Sequence, residues 1–216
     1  MNQTQIENLL QKFCYVGNYR DNMLRPFMSG DYICATDSRL CLFMPTQWLT
    51  DNGINTDFAA TDNVPNACDL LENRQTVAEQ EYTADYFKKV IESYRNTLSN
   101  SNDLCEECNG TGTVRFNYWS DKKNEYYYLD GDCPICKGTG HTVKIYATTI
   151  VGNAVRLEHI SLVSYLLAEF KKQKVIVKDF QRPTFRNVVT PGILFDFGEF
   201  KLLSVPLMAF DYEIKI

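Results

Sequence analysis

The chain has 216 residues with a formal net charge of -5, and its hydrophobic share of 44% beside 23% charged residues is that of a folded protein with a sizeable core. That composition excludes a disordered tail, and no apolar run approaches the roughly 18 residues that span a bilayer. The acidic balance excludes a general pull toward nucleic acid, so such a partner needs a local basic face.

"TQIE" at residues 4 to 7 has the capping-box pattern, and Ile6, Leu9, Leu10 and Phe13 recur at helical spacing, which predicts an amphipathic helix over about residues 4–14. The segment "MNQTQIENLLQKF" lacks the basic start and unbroken apolar stretch of a signal peptide, so the expected compartment is the cytoplasm, without a membrane partner. "NMLRPFMSGDYICATDSRLCLFMP" then breaks at Ser29-Gly30 and Asp37-Ser38 and predicts successive antiparallel strands. A long polar stretch, "TDNGINTDFAATDNVPNACDLLENR", separates it from a helix capped near Thr83 with Phe87, Val90, Ile91, Tyr94 and Leu98 on one face. Cys14, Cys34, Cys41 and Cys68 are scattered without ligand spacing and read as small buried apolar residues.

The most specific signal follows. "CEECNGTG" at residue 105 is answered by "CPICKGTG" at residue 133, each of the form Cys-x-x-Cys-x-Gly-x-Gly. Two cysteines three apart can hold one metal ion from a tight turn, and Gly110, Gly112, Gly138 and Gly140 supply the positive φ that such turns need. Cys105, Cys108, Cys133 and Cys136 then complete a tetrahedral shell, which points to one structural zinc ion with no open position for catalysis. A thioredoxin-like reading fits less well, because both pairs run into glycine and not into a helix; disulfides need an oxidising compartment that nothing else suggests. His141, next to the second knuckle, is either a ligand-side group or a solvent-side turn residue, and four thiolates already satisfy zinc.

Between the knuckles, Phe116, Tyr118, Trp119, Tyr126, Tyr127 and Tyr128 flank the polar turn "SDKKNE" and predict a β-hairpin. Its rings either cover the thin core of a small module, the favoured reading, or form a surface that stacks on bases or grips an apolar peptide. Downstream, "TVKIYATTIVGNAVRLE" is strand-like. "HISLVSYLLAEFKKQK" predicts a helix with Ile160, Val163, Leu167 and Phe170 on one side. "KVIVKDF", "GILFDF" and "FKLLSVPL" predict further strands, with a hairpin turn at Gly198. Both flanks thus read helix, then about three strands, the last closed by "LCLFMP" or "LLSVPL", an order suggesting internal duplication.

The repeated cysteine phrase resembles the cysteine-rich region of the DnaJ family of co-chaperones, where four such units bind two zinc ions; two units here imply half the module and one ion. The J-domain His-Pro-Asp turn is absent, since the only histidines are His141 and His159, so the resemblance implies a zinc hairpin and no chaperone cycle. The flanks resemble a second family. Arg25-Pro26, Ala35-Thr36-Asp37 and Arg39-Leu40, with the closing "TPGILFDFGEFKLLSVPLMAF", are similar to bacterial sliding clamps, the DNA polymerase III β subunit, with Val205 in place of the usual Met before Pro206. That resemblance implies an α+β fold of two βαβββ halves with antiparallel sheets, formed by residues 1–74 and 143–216, and an inserted helix and zinc-stapled hairpin over 75–142. It also implies phosphate contacts from Lys12, Arg20, Lys171, Lys172 and Lys174, although lysines at a helix C-terminus are expected from the helix dipole alone.

No phosphate-binding loop, His-Glu-x-x-His or Gly-x-Ser-x-Gly elbow occurs, and Asp37, Asp130, Asp132 and Asp196 sit where turns favour aspartate. The expected function is therefore non-enzymatic: a zinc-binding, DNA-associated or replication-related protein. The alternative is an adaptor that binds a peptide or partner protein through its aromatic hairpin.

Overall fold

In the computed structural model, the residues described are 1–17, 20–72, 75–98, 104–136, 138–141, 146–183, 189–206 and 213–214; side chains are not described for 95–98, 181–183, 189–191 and 213–214. Residues 142–145, where the strand-like downstream run begins, and 207–210, the end of the clamp-like closing segment, lie outside them, as does the side chain of Leu98. The fold is α+β, divided into two compact units, Met1–Ile91 with Tyr146–Ile216, and Glu92–Ile145.

Helix α1 (Gln3–Gln11) begins one residue earlier than its sequence pattern suggests. Its cap is Asn2, whose side chain accepts from the Gln5 N–H at 3.0 Å while the Gln5 side chain accepts from the Asn2 N–H at 2.8 Å. The reciprocal pair satisfies two donors that a helix start leaves open. Ile6, Leu9 and Leu10 form its buried stripe. The predicted breaks then separate β1 (Phe27–Ser29), β2 (Tyr32–Thr36) and β3 (Leu40–Pro45), an antiparallel meander.

In the second half, the single strand-like run is a hairpin of β7 (Tyr146–Ile150) and β8 (Asn153–Arg156), turned by Val151 and Gly152 at φ 42 and 81°. Helix α4 (Leu157–Glu169) leads to β9 (Lys174–Pro183), β10 (Val189–Asp196) and β11 (Lys201–Ser204), again an antiparallel meander. The two meanders join edge to edge, β3 against β11, with Leu42 opposite Leu202 and Cys41 opposite Leu203. The second half has the order two strands, helix, three strands, its first two strands lying in a separate small sheet. The first has the helix and three strands only.

A seventh strand, β4 (Gln75–Thr83), pairs antiparallel with β9 at the far edge of this sheet. This corrects the boundary placed at residue 75: the segment 75–83 belongs to the main sheet, and the second compact unit starts within the following helix, α3 (Ala84–Leu98). Its sequence hides the strand because eight of its nine side chains, all but Tyr82, are exposed, the usual protection of a sheet edge by charge. Glu79 and Glu81 pair across to Lys178 and Lys174.

Both faces of the seven-stranded sheet are covered, which is why β3 is buried at five successive positions. One face carries Phe27, Cys34, Cys41, Phe43, Phe180 and Leu203, packed against Ala60, Val64, Ala67, Leu70 and Leu71 from the long polar stretch. That stretch is therefore not a plain connection. It continues from an unforeseen short helix α2 (Thr46–Asp51) and is laced to β1 by Met28 N–H to Ala60 O and Ala60 N–H to Pro26 O, at 2.8 and 2.9 Å. The alternate side chains, such as Ile33, Leu42, Leu202 and Phe195, face the helices. Phe87 of α3 meets Phe195, and His159 of α4 meets Ser204 Oγ at 2.8 Å. Among the described residues no helix is long and apolar enough to cross a membrane.

Of the scattered cysteines, Cys14, Cys34 and Cys41 are buried packing residues, as expected, whereas Cys68 is half-buried with its thiol donating to Ser29 O; burial pushes the Cys14 thiol up to about 12. His159 is 3% exposed, and burial lowers it to about 4, with Asp37 acting the other way. It stays neutral in the fold while the unfolded chain takes up a proton near the usual 6.5. Stability is thus intact above pH 6.5 and is lost as pH falls from there toward 4, by about 3 kcal/mol for this one group. Urea denaturation from pH 7 to 4 should show this loss, and the His159→Asn variant should show a correspondingly shallower slope.

Candidate metal centre

The centre is built by two knuckles at the base of a hairpin, β5 (Thr113–Ser120) and β6 (Glu125–Asp132), within the unit Glu92–Ile145. Cys105, Cys108, Cys133 and Cys136 are all buried, and their sulfurs lie within 4.8 Å of one another. Across the knuckles Cys105 Sγ is 3.8 Å from Cys133 Sγ and Cys108 Sγ 3.7 Å from Cys136 Sγ. A disulfide needs about 2.05 Å. Four sulfurs at about 2.3 Å from a common tetrahedral centre stand about 3.8 Å apart, so the spacing suits a metal ion.

The two copies make the same bonds. Gly112 N–H points at Cys108 Sγ and Gly140 N–H at Cys136 Sγ, at 3.2 and 3.3 Å. Cys105 N–H donates to Gly140 O and Cys133 N–H to Gly112 O, at 2.9 and 2.8 Å, so each knuckle closes on the other. The threonine of each Gly-Thr-Gly, a residue to which sequence reasoning assigned no role, donates its hydroxyl to the second cysteine's carbonyl: Thr111 to Cys108 O at 2.7 Å and Thr139 to Cys136 O at 2.8 Å. Recurrence of threonine at the same place in both copies was the available signal.

The glycines have two reasons to be glycine. All four have φ between 75 and 84°. In addition, a Cβ on Gly112 would stand 2.4 Å from Gly138 O, and one on Gly140 would stand 2.3 Å from Gly110 O. The backbones of the two knuckles pass too closely for any side chain there.

Four thiolates cannot share so small a volume without a cation between them. Burial raises the Cys136 thiol, but the Gly140 N–H and the neighbouring sulfurs outweigh it and bring the group down to about 7. Cys105 is lowered by the Cys108 backbone N–H, yet burial and the adjoining thiols carry it up to about 11. A metal ion at this position would remove the conflict by holding all four as thiolates, and protons would compete with it as pH falls. His141 takes no place in the cluster: it is exposed, and its N–H donates to Thr139 Oγ1 at 3.3 Å.

The hairpin rings do not cover a core. Phe116, Tyr118, Trp119, Tyr126 and Tyr128 are 43 to 66% exposed, and Val114 is the hairpin side chain packed against the cysteines. The favoured reading of these residues is thereby overturned; the register explains why. Phe116, Tyr118, Tyr127 and Leu129 share one face, while Trp119, Tyr126 and Tyr128 share the other beside the Arg115–Asp130 ion pair. Alternate sides of one two-stranded ribbon cannot both face a single small core. Tyr118 stacks on Tyr127 at 5.5 Å and Trp119 meets Tyr126 edge-on at 4.9 Å, cross-strand pairs that stiffen the ribbon without hiding it.

The five basic residues are not brought together as one face. Lys172 bonds to Glu199 at 2.6 Å and Lys174 to Glu81 at 2.8 Å. Lys171 takes φ 51° just beyond α4, where the Lys172 N–H reaches back to Leu167 O and caps the helix end. Lys12 lies over the Tyr165 ring at 4.0 Å, and Arg20 is 6.0 Å from the Tyr15 ring. The turn aspartates act locally: Asp37 accepts from the Arg39 and Leu40 N–H groups, and Asp196 from the Gly198 N–H. The first unit also holds an apolar groove of about 290 Å³ whose lining includes Met23, Leu40, Pro65, Leu70, Leu203 and Val205.

Compared with known proteins, the chain matches no family model and no curated sequence. What the site defines is a class: a protein with a buried four-cysteine centre able to hold a metal ion.

The close approach of the knuckles makes a sharp prediction. Gly112→Ala or Gly140→Ala should lower metal affinity by at least about tenfold in a chelator competition, because each added methyl meets backbone. Gly53→Ala, at φ 73° but with nothing within 4 Å of the new Cβ, should leave metal affinity unchanged.

Proposed function

We propose that this protein is a non-enzymatic binding protein, in which one zinc ion fixes the base of an aromatic hairpin that grips a segment of a partner protein. Zinc suits four thiolates because it needs no redox change and accepts tetrahedral geometry without preference, and a closed shell gives it a structural role. Elemental analysis of the purified chain should return one zinc per chain and a colourless solution; a red chromophore would mean iron instead. Substituting Cys133→Ser should abolish stoichiometric metal.

The observation that carries the reading is the exposure of large rings on both faces of a ribbon whose base is held rigid. Tyrosine and tryptophan offer contact area with little rotamer entropy to lose, which is the chemistry of interface anchors. The apolar groove of the first unit supports the same reading, being large enough to take one or two apolar side chains of a bound segment. With the immobilised full chain as bait, Trp119→Ser/Tyr128→Ser should lose the retained proteins while keeping its metal and its unfolding midpoint. Retention of the same set would overturn the reading.

A second reading, association with duplex DNA through a sliding-clamp-like body, has one observation in its favour. Two helix-and-meander halves meet antiparallel at β3 and β11, the order that the clamp resemblance implies. The pairing of Lys172 and Lys174 with glutamates takes two of its five phosphate contacts out of use. Filter retention of duplex DNA at low salt tests it, and absence of retention there would exclude it.

A further inference from the structure

A second site, separate from the metal centre and independent of the hairpin reading, lies in the first unit. Lys12 just past α1, Arg20 in the loop that follows and Arg39 in the turn between β2 and β3 line one cleft of about 480 Å³, with Tyr15, Asp37 and Ser38. Among the described residues none of the three cations makes an ion pair, whereas Lys172, Lys174, Lys178 and Arg115 each hold a carboxylate. On a chain of net charge -5, three unpaired cations round one hollow are a local reversal of the overall field.

The lining is arranged to leave these charges available. The rings of Tyr165 and Tyr15 neighbour Lys12 and Arg20, and a ring face steadies a cation without consuming its hydrogen-bond donors. The one acidic member, Asp37, has Oδ1 committed to the N–H groups of Arg39 and Leu40 at 2.7 and 2.8 Å, where it clamps the turn. That turn places Ser38 at φ 80°, a strained conformation for a residue with a side chain. The hydroxyls of Ser38 and Tyr15 add two donors.

We propose that this cleft binds a phosphate-type oxyanion. Three cations against one committed carboxylate call for a ligand with more than one negative charge, and the volume exceeds what a single carboxylate fills. Guanidinium forks match pairs of phosphate oxygens, and the lysine adds a point charge. Two sources share this chemistry: a small polyphosphate, and the backbone of a nucleic acid.

The test uses the full, metal-replete chain at low ionic strength with two probes, pyrophosphate and a short oligothymidylate, read by calorimetry and fluorescence anisotropy. At least one probe should bind, and Arg20→Gln/Arg39→Gln should weaken it by about tenfold or more, with a smaller salt dependence. Lys122→Gln, on the hairpin, should leave affinity within about twofold. All three cations are exposed, so the variants should fold; Lys12→Gln alone, expected to weaken binding about threefold, serves if the double variant does not. Pyrophosphate binding without oligothymidylate assigns a small ligand, and oligothymidylate binding alone assigns a nucleic-acid backbone. Binding of neither probe, or equal affinity in the variants, overturns the proposal.

Discussion

The pairing of β3 with β11 is the constraint on which the main body depends. It joins the two ends of the chain across everything between them, with Leu42 opposite Leu202, and closing so long a loop costs entropy that only deep burial can offset. Both faces of this seam are buried, by helices on one side and by the ordered polar stretch on the other. Once the seam holds, β1, β2, β9 and β10 follow by antiparallel pairing, and β4 can add at the edge. The segment from Glu92 to Ile145 is then free to be a second unit, because the seven-stranded sheet takes no strand from it.

The metal centre uses the same device on a smaller scale. There, too, two copies of one phrase meet: the amide of each first cysteine reaches the last glycine carbonyl of the other copy, and the four sulfurs converge. The energetic currency differs. In the sheet, apolar burial from water supplies the favourable term. In the knuckles, where little apolar surface exists to bury, an ion held by the four sulfurs would take that role, and the packed glycines set how closely the two copies approach. This division lets a small unit hold a stiff ribbon whose rings remain in solvent.

Charge is distributed to match. Along the β4–β9 edge, lysines are neutralised by glutamates, which protects the edge and removes them from any anion-binding face. Around the turn that carries Ser38, Lys12, Arg20 and Arg39 make no ion pair among the described residues. The contrast follows from where carboxylates sit in space, and the linear order of lysines and arginines does not show it. The five cations expected to contact phosphate therefore divide: Lys12 and Arg20 line the cleft beside Arg39, Lys172 and Lys174 pair with glutamates, and Lys171 lies just beyond the end of α4.

Much of the local structure was legible from residues alone, because it rests on short-range rules. The stripe of Ile6, Leu9 and Leu10, the breaks at Gly30 and Ser38, and the two cysteine pairs, Cys105 with Cys108 and Cys133 with Cys136, all depend on spacing within a few residues. What the sequence could not decide were matters of partner and side. β4 looks polar because its neighbour β9 supplies the counter-charges; the segment from Thr56 to Leu71 looks like a loop because its few apolar side chains find a sheet face far away in sequence. The aromatic hairpin looked like a covered core because composition records how many rings there are. Only the pleat, which sends alternate residues to opposite faces of a two-stranded ribbon, decides that those rings meet solvent on both sides.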